Sequence, residues 1–310
     1  MRVMIVGGTG LLGRATALEL VRQNVDVTLL SRSYPKDPWA QQIWKHVDIN
    51  DFVSVKAALM SRPDVVLNFA ACLQHACDSQ PKSAVDININ GLTNILEVSL
   101  SAGVKKVIFA SSIAVYGERR DLMTEIDCIP ADNSLYGASK YFGELLGLQY
   151  QKAFRLDFIA FRYSGIFGFD SAKRNERSAG MALVRQQILE CVTGKNVVFD
   201  NVSGYERVHL THVTDAANAT VAAILLGKHR YGVYNIGGPS ENYLSLRDFY
   251  QLVKTLFPRC GNVTWAANGA RTAGPLCIER MTSDLGYLPK VSVSSGLKKD
   301  FDLLIGKDFQ

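Results

Sequence analysis

Within its first thirteen residues the chain reads Gly7-Gly8-Thr9-Gly10-Leu11-Leu12-Gly13, and no other stretch restricts the fold as much. Val3–Val6, directly before it, is a short apolar run rich in β-branched residues, which predicts a buried strand. Leu11–Arg22, directly after it, has helical periodicity. Glycines at such a strand-to-helix turn let the backbone approach a pyrophosphate. The first N–H groups of the helix and its partial positive charge then face the anion. A lone glycine-rich turn is weak evidence; one at this place in a strand–turn–helix unit predicts a dinucleotide site made by Gly7, Gly10, Leu11, Leu12 and Gly13.

Strand and helix patterns go on alternating. Val25–Leu30, Val65–Phe69 and Lys106–Ala110 read as strands, the last running into Ser111-Ser112, and Asp157–Phe161 reads as a sixth strand. Between them Ser83–Ala102 reads as one long helix closed by Gly103, and Ser134–Phe154 as another, with Ser134 as N-cap. Such alternation predicts an α/β fold with a parallel sheet and crossover helices. In the second half Met181–Thr193, Asp215–Leu226 and Leu246–Leu256 read as helices, Val233–Ile236 as a strand and Ser171–Gly180 as a loop. The 310 residues show no repeat and no low-complexity linker, so two lobes sharing the chain are expected rather than two beads on a string.

The end of the second strand discriminates between nicotinamide cofactors. A carboxylate there accepts hydrogen bonds from the adenosine ribose. The chain instead reads Ser31-Arg32-Ser33, and an arginine suits a 2′-phosphate. NADP(H) is therefore favoured over NAD(H), with Arg32 as a mere surface arginine the plain alternative. Asp48 and Ile49, and Asn50-Asp51 after them, fall at the end of the third strand, beside the expected adenine site; Asp51 reads equally well as a helix cap.

Tyr136-Gly137-Ala138-Ser139-Lys140 places a tyrosine and a lysine four apart on one helix face. A lysine charge beside a phenol lowers the phenol's pKa from about 10 towards neutrality, so that it can exchange a proton with a carbinol while a hydride moves. Ser112 precedes Tyr136 by 24 positions, at the end of a strand, where open α/β sheets bind ligands. Its hydroxyl is suited to the reacting oxygen. Asn88, on the preceding helix, is expected to support the lysine through water.

Composition excludes little but points one way. The chain is 47% hydrophobic and 20% charged, ordinary for a globular protein, and its net charge of +5 is scattered, which argues against nucleic-acid binding. No apolar stretch reaches the ~18 residues of a membrane span, and the N-terminus lacks a signal-peptide pattern. Six cysteines without a Cys-x-x-Cys pair are expected to be reduced thiols of a cytoplasmic protein. Cys72, His75 and Cys77 lack a fourth ligand at suitable spacing, so no metal site is expected.

Taken together these motifs resemble the extended short-chain dehydrogenase/reductases, in particular the NAD-dependent epimerase/dehydratase family. The similarity runs over nearly the whole chain. It includes Gly7–Gly13, Asn68-Phe69-Ala70-Ala71, Asn88-Ile89-Asn90-Gly91 and Ser111-Ser112-Ile113-Ala114-Val115-Tyr116-Gly117, then Tyr136 to Lys140 and Phe161-Arg162-Tyr163-Ser164-Gly165. His212-Val213-Thr214-Asp215, Tyr234-Asn235-Ile236-Gly237-Gly238 and Leu285-Gly286-Tyr287-Leu288-Pro289 complete it. The resemblance implies a Rossmann-type, doubly wound parallel sheet with a smaller C-terminal substrate-binding lobe. The expected division is 1–163 plus about 206–238 for the dinucleotide lobe, and about 164–205 plus 239–310 for the substrate lobe. It also implies Ser112, Tyr136 and Lys140 as the catalytic trio, Ala70 and Ala71 beside the cofactor, a nucleotide-sugar substrate and a homodimer.

Departures from the family pattern narrow the activity. Relatives that dehydrate sugars carry Asp-Glu after the catalytic serine or threonine; Ile113 and Ala114 stand there and transfer no protons. An asparagine that helps hold a diphosphate is replaced by Gly165, and the usual arginine position is Val208, with Arg207 shifted by one. Arg207 and Arg271 are the remaining candidates for substrate phosphates. The reading is an NAD(P)-dependent sugar-nucleotide epimerase or oxidoreductase. The alternatives are an NADPH-dependent reductase of a keto-sugar nucleotide or other carbonyl compound, and a non-catalytic dinucleotide-binding regulator.

Overall fold

The computed structural model describes residues 1–119, 121–127, 134–168, 187–188, 190–200, 202–267 and 273–300. Its first half alternates as expected: β1 (Arg2–Val6), α1 (Leu11–Arg22), β2 (Asp26–Ser31), α2 (Pro38–Gln42), β3 (Trp44–His46), α3 (Phe52–Leu59) and β4 (Val65–Asn68). Two short helices follow, α4 (Gln74–Ser79) and α5 (Pro81–Ala84), then a π-helical turn at Val85–Asn90 that runs into α6 (Gly91–Ala102). β5 (Lys106–Ser112), α7 (Leu135–Phe154) and β6 (Asp157–Tyr163) complete this half. The single helix expected over Ser83–Ala102 is present as one continuous helical run, but its spacing widens from α to π at Val85–Asn90. An extra residue is accommodated at Val85–Asn90, and such insertions recur at functional sites. The predicted strand ends also fall short, since β5 extends through Ser112 and β6 through Tyr163.

Seven of the described strands form one sheet in the order β10-β6-β5-β4-β1-β2-β3, with β10 at Val233–Ile236. Every neighbouring pair in it is parallel. This is the doubly wound order, and its reversal lies between β1 and β4, where such sheets bind ligands beyond their carboxyl ends. One face is covered by α1 and α8 (Val213–Leu225), which bury Ala17, Leu20, Ala216 and Ala219 against Ile5, Leu29 and Ile159. The other is covered by α3, α6 and α7, burying Leu59, Ile95, Leu96 and Tyr150 against Val66, Val107 and Phe158. Both strand faces are apolar because both are covered.

The later half adds smaller sheets. β7 (Gly165–Phe167) and β11 (Tyr243–Ser245) flank β9 (Arg207–His212), and β8 (Val197–Phe199) pairs with β12 (Val263–Trp265). With α9 (Leu246–Leu256), which starts in a Ser245/Asp248 capping box, they enclose Phe167, Phe199, Leu210, Phe249 and Val253. Asp215, from the His212–Asp215 motif, is buried and accepts from the Tyr287 hydroxyl (2.6 Å) and from the N–H groups of Lys290 (3.0 Å) and Val291 (2.8 Å). The predicted loop at 171–180 and most of the predicted helix 181–193 lie outside the described residues.

One expectation about cysteine is corrected. Cys191 and Cys260 form a disulfide with Cα atoms 4.8 Å apart, whereas all six thiols were expected reduced. A separation of 69 residues gives no local signal for the pairing. Cys72, Cys77 and Cys277 are free thiols. Among the described residues no three metal-ligating side chains converge, and no described helix is long and apolar enough to cross a membrane.

Candidate active site

The glycine loop is built by close approach. Gly7 has φ +73°, and a Cβ there would lie 2.7 Å from the Ala70 nitrogen, so only glycine lets the turn rest against the Phe69-Ala70-Ala71 segment at the end of β4. At Gly13 a Cβ would meet the Gly8 Cα at 2.7 Å, so this glycine lets α1 pack on its own loop. The Arg14 N–H is the first to reach back into the helix, to the Gly10 carbonyl at 2.9 Å. The N–H groups of Leu11, Leu12 and Gly13 therefore have no partner within α1, and Gly10 offers no side-chain cap. An uncapped first turn at the sheet's reversal point fits a dinucleotide pyrophosphate.

The other residues expected at the cofactor surround this point. Ser31 ends β2; its hydroxyl donates to the Ser33 carbonyl at 2.8 Å and accepts from the Trp44 indole at 2.9 Å. Arg32 is exposed and forms no ion pair among the described residues. Asp37 is a carboxylate a few positions further on, and it is paired with the buried Arg14. Asp48 turns its carboxylate to the Asn50 N–H, Ile49 is buried, and Asp51 caps α3 through the Val53 N–H, which settles it as a cap.

Ser112, Tyr136 and Lys140 come together at the end of β5. Ser134 caps α7 by accepting from the Gly137 N–H, as expected, and this sets where Tyr136 enters the helix. Ser112 is hydrogen-bonded to the Tyr136 phenol and also accepts from the Ala114 N–H at 3.1 Å. The Lys140 Nζ donates to the Ala110 carbonyl at 2.7 Å and lies 5.7 Å from the centre of the Tyr136 ring.

The electrostatics differ from the expected lowering of the phenol pKa. Burial pushes the Tyr136 phenol up to about 12, against the Ser112 hydrogen bond that pulls it down. Burial also pushes the Lys140 ammonium down to about 8, although Cys77 and Glu144 favour its charge. The desolvation cost outweighs the attraction of these two groups.

Asn88 does not bond to the lysine directly. Its Oδ1 accepts from the Cys72 N–H at 2.7 Å, and its Nδ2 donates to the Cys72 carbonyl (3.0 Å) and the Ser139 hydroxyl (2.9 Å). It ties the segment after β4 to the helix of Tyr136, and the π-helical turn brings it there. Sequence reasoning missed Ser139, the partner inside the Tyr136–Lys140 motif itself. It also missed Glu144 and Arg162. Glu144 continues the helix face of Lys140 at a further four-residue step, a spacing that flags it.

Of the two expected phosphate arginines, Arg207 is exposed on β9, donates to the Tyr243 carbonyl at 2.9 Å and lies 4.4 Å over the Tyr243 ring. Arg271 lies outside the described residues.

The NAD dependent epimerase/dehydratase family matches residues 3–237. A putative UDP-glucose 4-epimerase of Methanocaldococcus jannaschii is 23% identical over 96% of both chains. The mitochondrial L-threonine 3-dehydrogenase of Sus scrofa is 28% identical over 71% of this chain and 59% of its own. The solved UDP-glucose 4-epimerase of Thermus thermophilus, in complex with NAD, superposes with a TM-score of 0.87 at 22% identity, over 99% of this chain and 100% of its own. The chain belongs to the NAD dependent epimerase/dehydratase family, enzymes of the extended short-chain dehydrogenase/reductase type.

Proposed function

We propose that this chain is a sugar-nucleotide epimerase working by transient hydride transfer, with Tyr136 as acid/base. The observation that carries the reading is the convergence of Ser112, Tyr136 and Lys140 at the end of β5, near the uncapped glycine turn. Gly7, Gly10, Leu11, Leu12 and Gly13 would hold the pyrophosphate, with Ala70 and Ala71 beside it, and Asp48 and Ile49 would meet the adenine. When bound, NAD(P)+ supplies a hydride-accepting carbon and a positive charge that favours the phenolate. Tyr136 takes the proton of the sugar hydroxyl, and the Ser112 hydroxyl donates to the same oxygen. Lys140 stabilises the phenolate. For the return step Tyr136 gives the proton back with the other face of the ketone presented. Asn88 keeps the Cys72 segment and the Tyr136 helix in register. The chain divides into a dinucleotide lobe and a substrate lobe at the boundaries expected above. Arg207 and Arg271 meet the substrate phosphates, in a cytoplasmic homodimer.

Arg32 supports NADP(H) over NAD(H), although the Thermus thermophilus structure holds NAD. A second reading, oxidation or reduction of a substrate without a nucleotide, is favoured by Gly165 and Val208 at phosphate-contacting positions and by the 28% identity to L-threonine 3-dehydrogenase.

The test is incubation with UDP-glucose or UDP-glucuronate and either cofactor, followed by NMR of the sugar ring. An equilibrated 4-epimer, absent with Tyr136→Phe, supports the proposal. Net nicotinamide reduction with L-threonine and no epimer replaces it with the second reading.

A further inference from the structure

The turn that carries Arg32 is fixed from both ends. At its start the Trp44 indole N–H, from β3, donates to the Ser31 hydroxyl at 2.9 Å, and that hydroxyl donates onward to the Ser33 carbonyl at 2.8 Å. The Tyr34 ring stands edge-on to Trp44 with centroids 4.9 Å apart. At its end the Gln41 amide donates to the Pro35 carbonyl at 3.1 Å, and Asp37 is paired with Arg14, whose guanidinium lies 5.5 Å over Trp39. Between these anchors Arg32, Ser33 and Lys36 are exposed. The one carboxylate among residues 31–37 is neutralised by Arg14, so the exposed part of the turn is cationic. Ser31, the position from which a carboxylate would address a ribose, is held in place by the indole of Trp44.

We infer that Trp44, acting through Ser31, is a positioning residue for cofactor choice: it presents the Arg32 turn to the adenosine 2′-phosphate. This rests on the NADP(H) reading above. A preformed turn loses less freedom on binding than one that must order, and only the ligand that contacts Arg32 benefits. The effect of Trp44 must therefore appear in the ratio of NADPH to NADH affinity, not in both affinities alike.

The experiment is a nicotinamide-fluorescence titration of the full chain, freed of nucleotide, with NADPH and with NADH. Wild type, Arg32→Ala, Trp44→Phe, Ser31→Ala and the Trp44→Phe/Ser31→Ala double variant are compared. Phenylalanine keeps an aromatic ring against Tyr34 but removes the N–H donor together with part of the indole's packing, so the comparison with Ser31→Ala, which removes the acceptor and keeps the indole, isolates the hydrogen bond. Loss of the charge-assisted contact in Arg32→Ala should weaken NADPH about 10- to 100-fold, leaving NADH unchanged. Trp44→Phe should weaken NADPH by roughly 3- to 10-fold, the scale of one neutral hydrogen bond, again with NADH unchanged. The double variant should be no worse than Ser31→Ala, because both break one chain of bonds. A preference lost in Arg32→Ala but kept in Trp44→Phe overturns the role of Trp44 and spares the NADP(H) reading. Equal weakening of both cofactors by Trp44→Phe makes it merely structural, with the same consequence. A wild type without preference for NADPH overturns both.

Discussion

Arg162 and Glu144 form a two-pronged buried ion pair, Nε to Oε1 at 2.9 Å and Nη2 to Oε2 at 2.7 Å, behind the strand that ends in Ser112. Ser111 also donates to Glu144, and the Arg162 guanidinium lies 4.8 Å over the Tyr116 ring, whose hydroxyl reaches Asn235 at 2.6 Å. The pair joins α7, which carries Tyr136 and Lys140, to β5 and β6. Removing one partner strands a buried charge, so Arg162→Met and Glu144→Met should each cost about 3–5 kcal/mol of unfolding free energy. The double variant should cost clearly less than their sum. Urea unfolding of the three variants checks this, and additive losses would show that the pair is not coupled.

Tyr136 should keep its proton until strongly alkaline pH when no cofactor is bound, because burial holds the phenol near 12. The tyrosinate absorbance of wild type minus that of Tyr136→Phe should therefore show no ionisation of this group below about pH 11, against about 10 for a free phenol. A difference signal at neutral pH would mean that Lys140 alone activates the phenol. In turnover Tyr136→Phe should lose about 10²- to 10⁴-fold in kcat, the usual share of a general acid/base. Its cofactor affinity should stay near that of wild type.

How much of this was legible in the sequence follows from what each feature depends on. The glycine turn, the Ser134 cap and the Tyr136/Lys140 face are local patterns, and the structure places them as read. The π spacing at Val85–Asn90 was not legible. Its cause is tertiary: Asn88 bonds to residues 16 and 51 positions away, and the apolar periodicity of 83–102 runs on through it. The Cys191–Cys260 bond and the Arg14–Asp37 pair depend likewise on which loops meet. The phenol pKa was misjudged because spacing gives the nearness of Lys140, whereas burial outweighs that nearness here.

At the opposite end of the sheet His229 is hydrogen-bonded to Asp157, and Lys106 lies 3.7 Å from the same carboxylate while it donates to the carbonyls of Ala223 and Leu226. Burial lowers the His229 pKa, but the bond and charge of Asp157 outweigh it and leave the imidazole raised from 6.5. A base with a raised folded pKa stabilises the fold fully below its unfolded pKa and loses that contribution as pH rises through the folded value. The contribution of His229 should therefore fall as pH rises above about 6.5, against that of Lys140, whose lowered pKa works in the opposite direction. Asp157, whose pKa is lowered despite burial by the bond from His229, loses its contribution only under acid, below its ordinary 3.8. Thermal unfolding from pH 5 to 9 should show wild type losing stability relative to His229→Gln as pH rises, the groups common to both cancelling in the difference. Identical profiles would remove His229 as the cause.

Asp215 holds the segment after Tyr287 against α8 through three donors, the Tyr287 hydroxyl and the N–H groups of Lys290 and Val291. A buried carboxylate is suited to this because it offers lone pairs on both oxygens and no competing hydrogen. In Asp215→Asn one of those oxygens becomes an NH2 group that faces donors. Lys290 and Val291 share one carboxylate oxygen, so two backbone N–H groups lose their acceptor if the amide turns that way; if it turns the other way, the Tyr287 hydroxyl loses its acceptor. Losing a charged acceptor costs roughly 1.5–3 kcal/mol, and the damage should be local. Hydrogen exchange of the Lys290 and Val291 amides should quicken at least tenfold, while amides in β1 and β4 keep their protection. Tyr287→Phe removes only one of the three bonds and should leave those two amides protected. Quickened exchange across the whole chain in Asp215→Asn would instead mean that this carboxylate supports global folding rather than the docking of one segment.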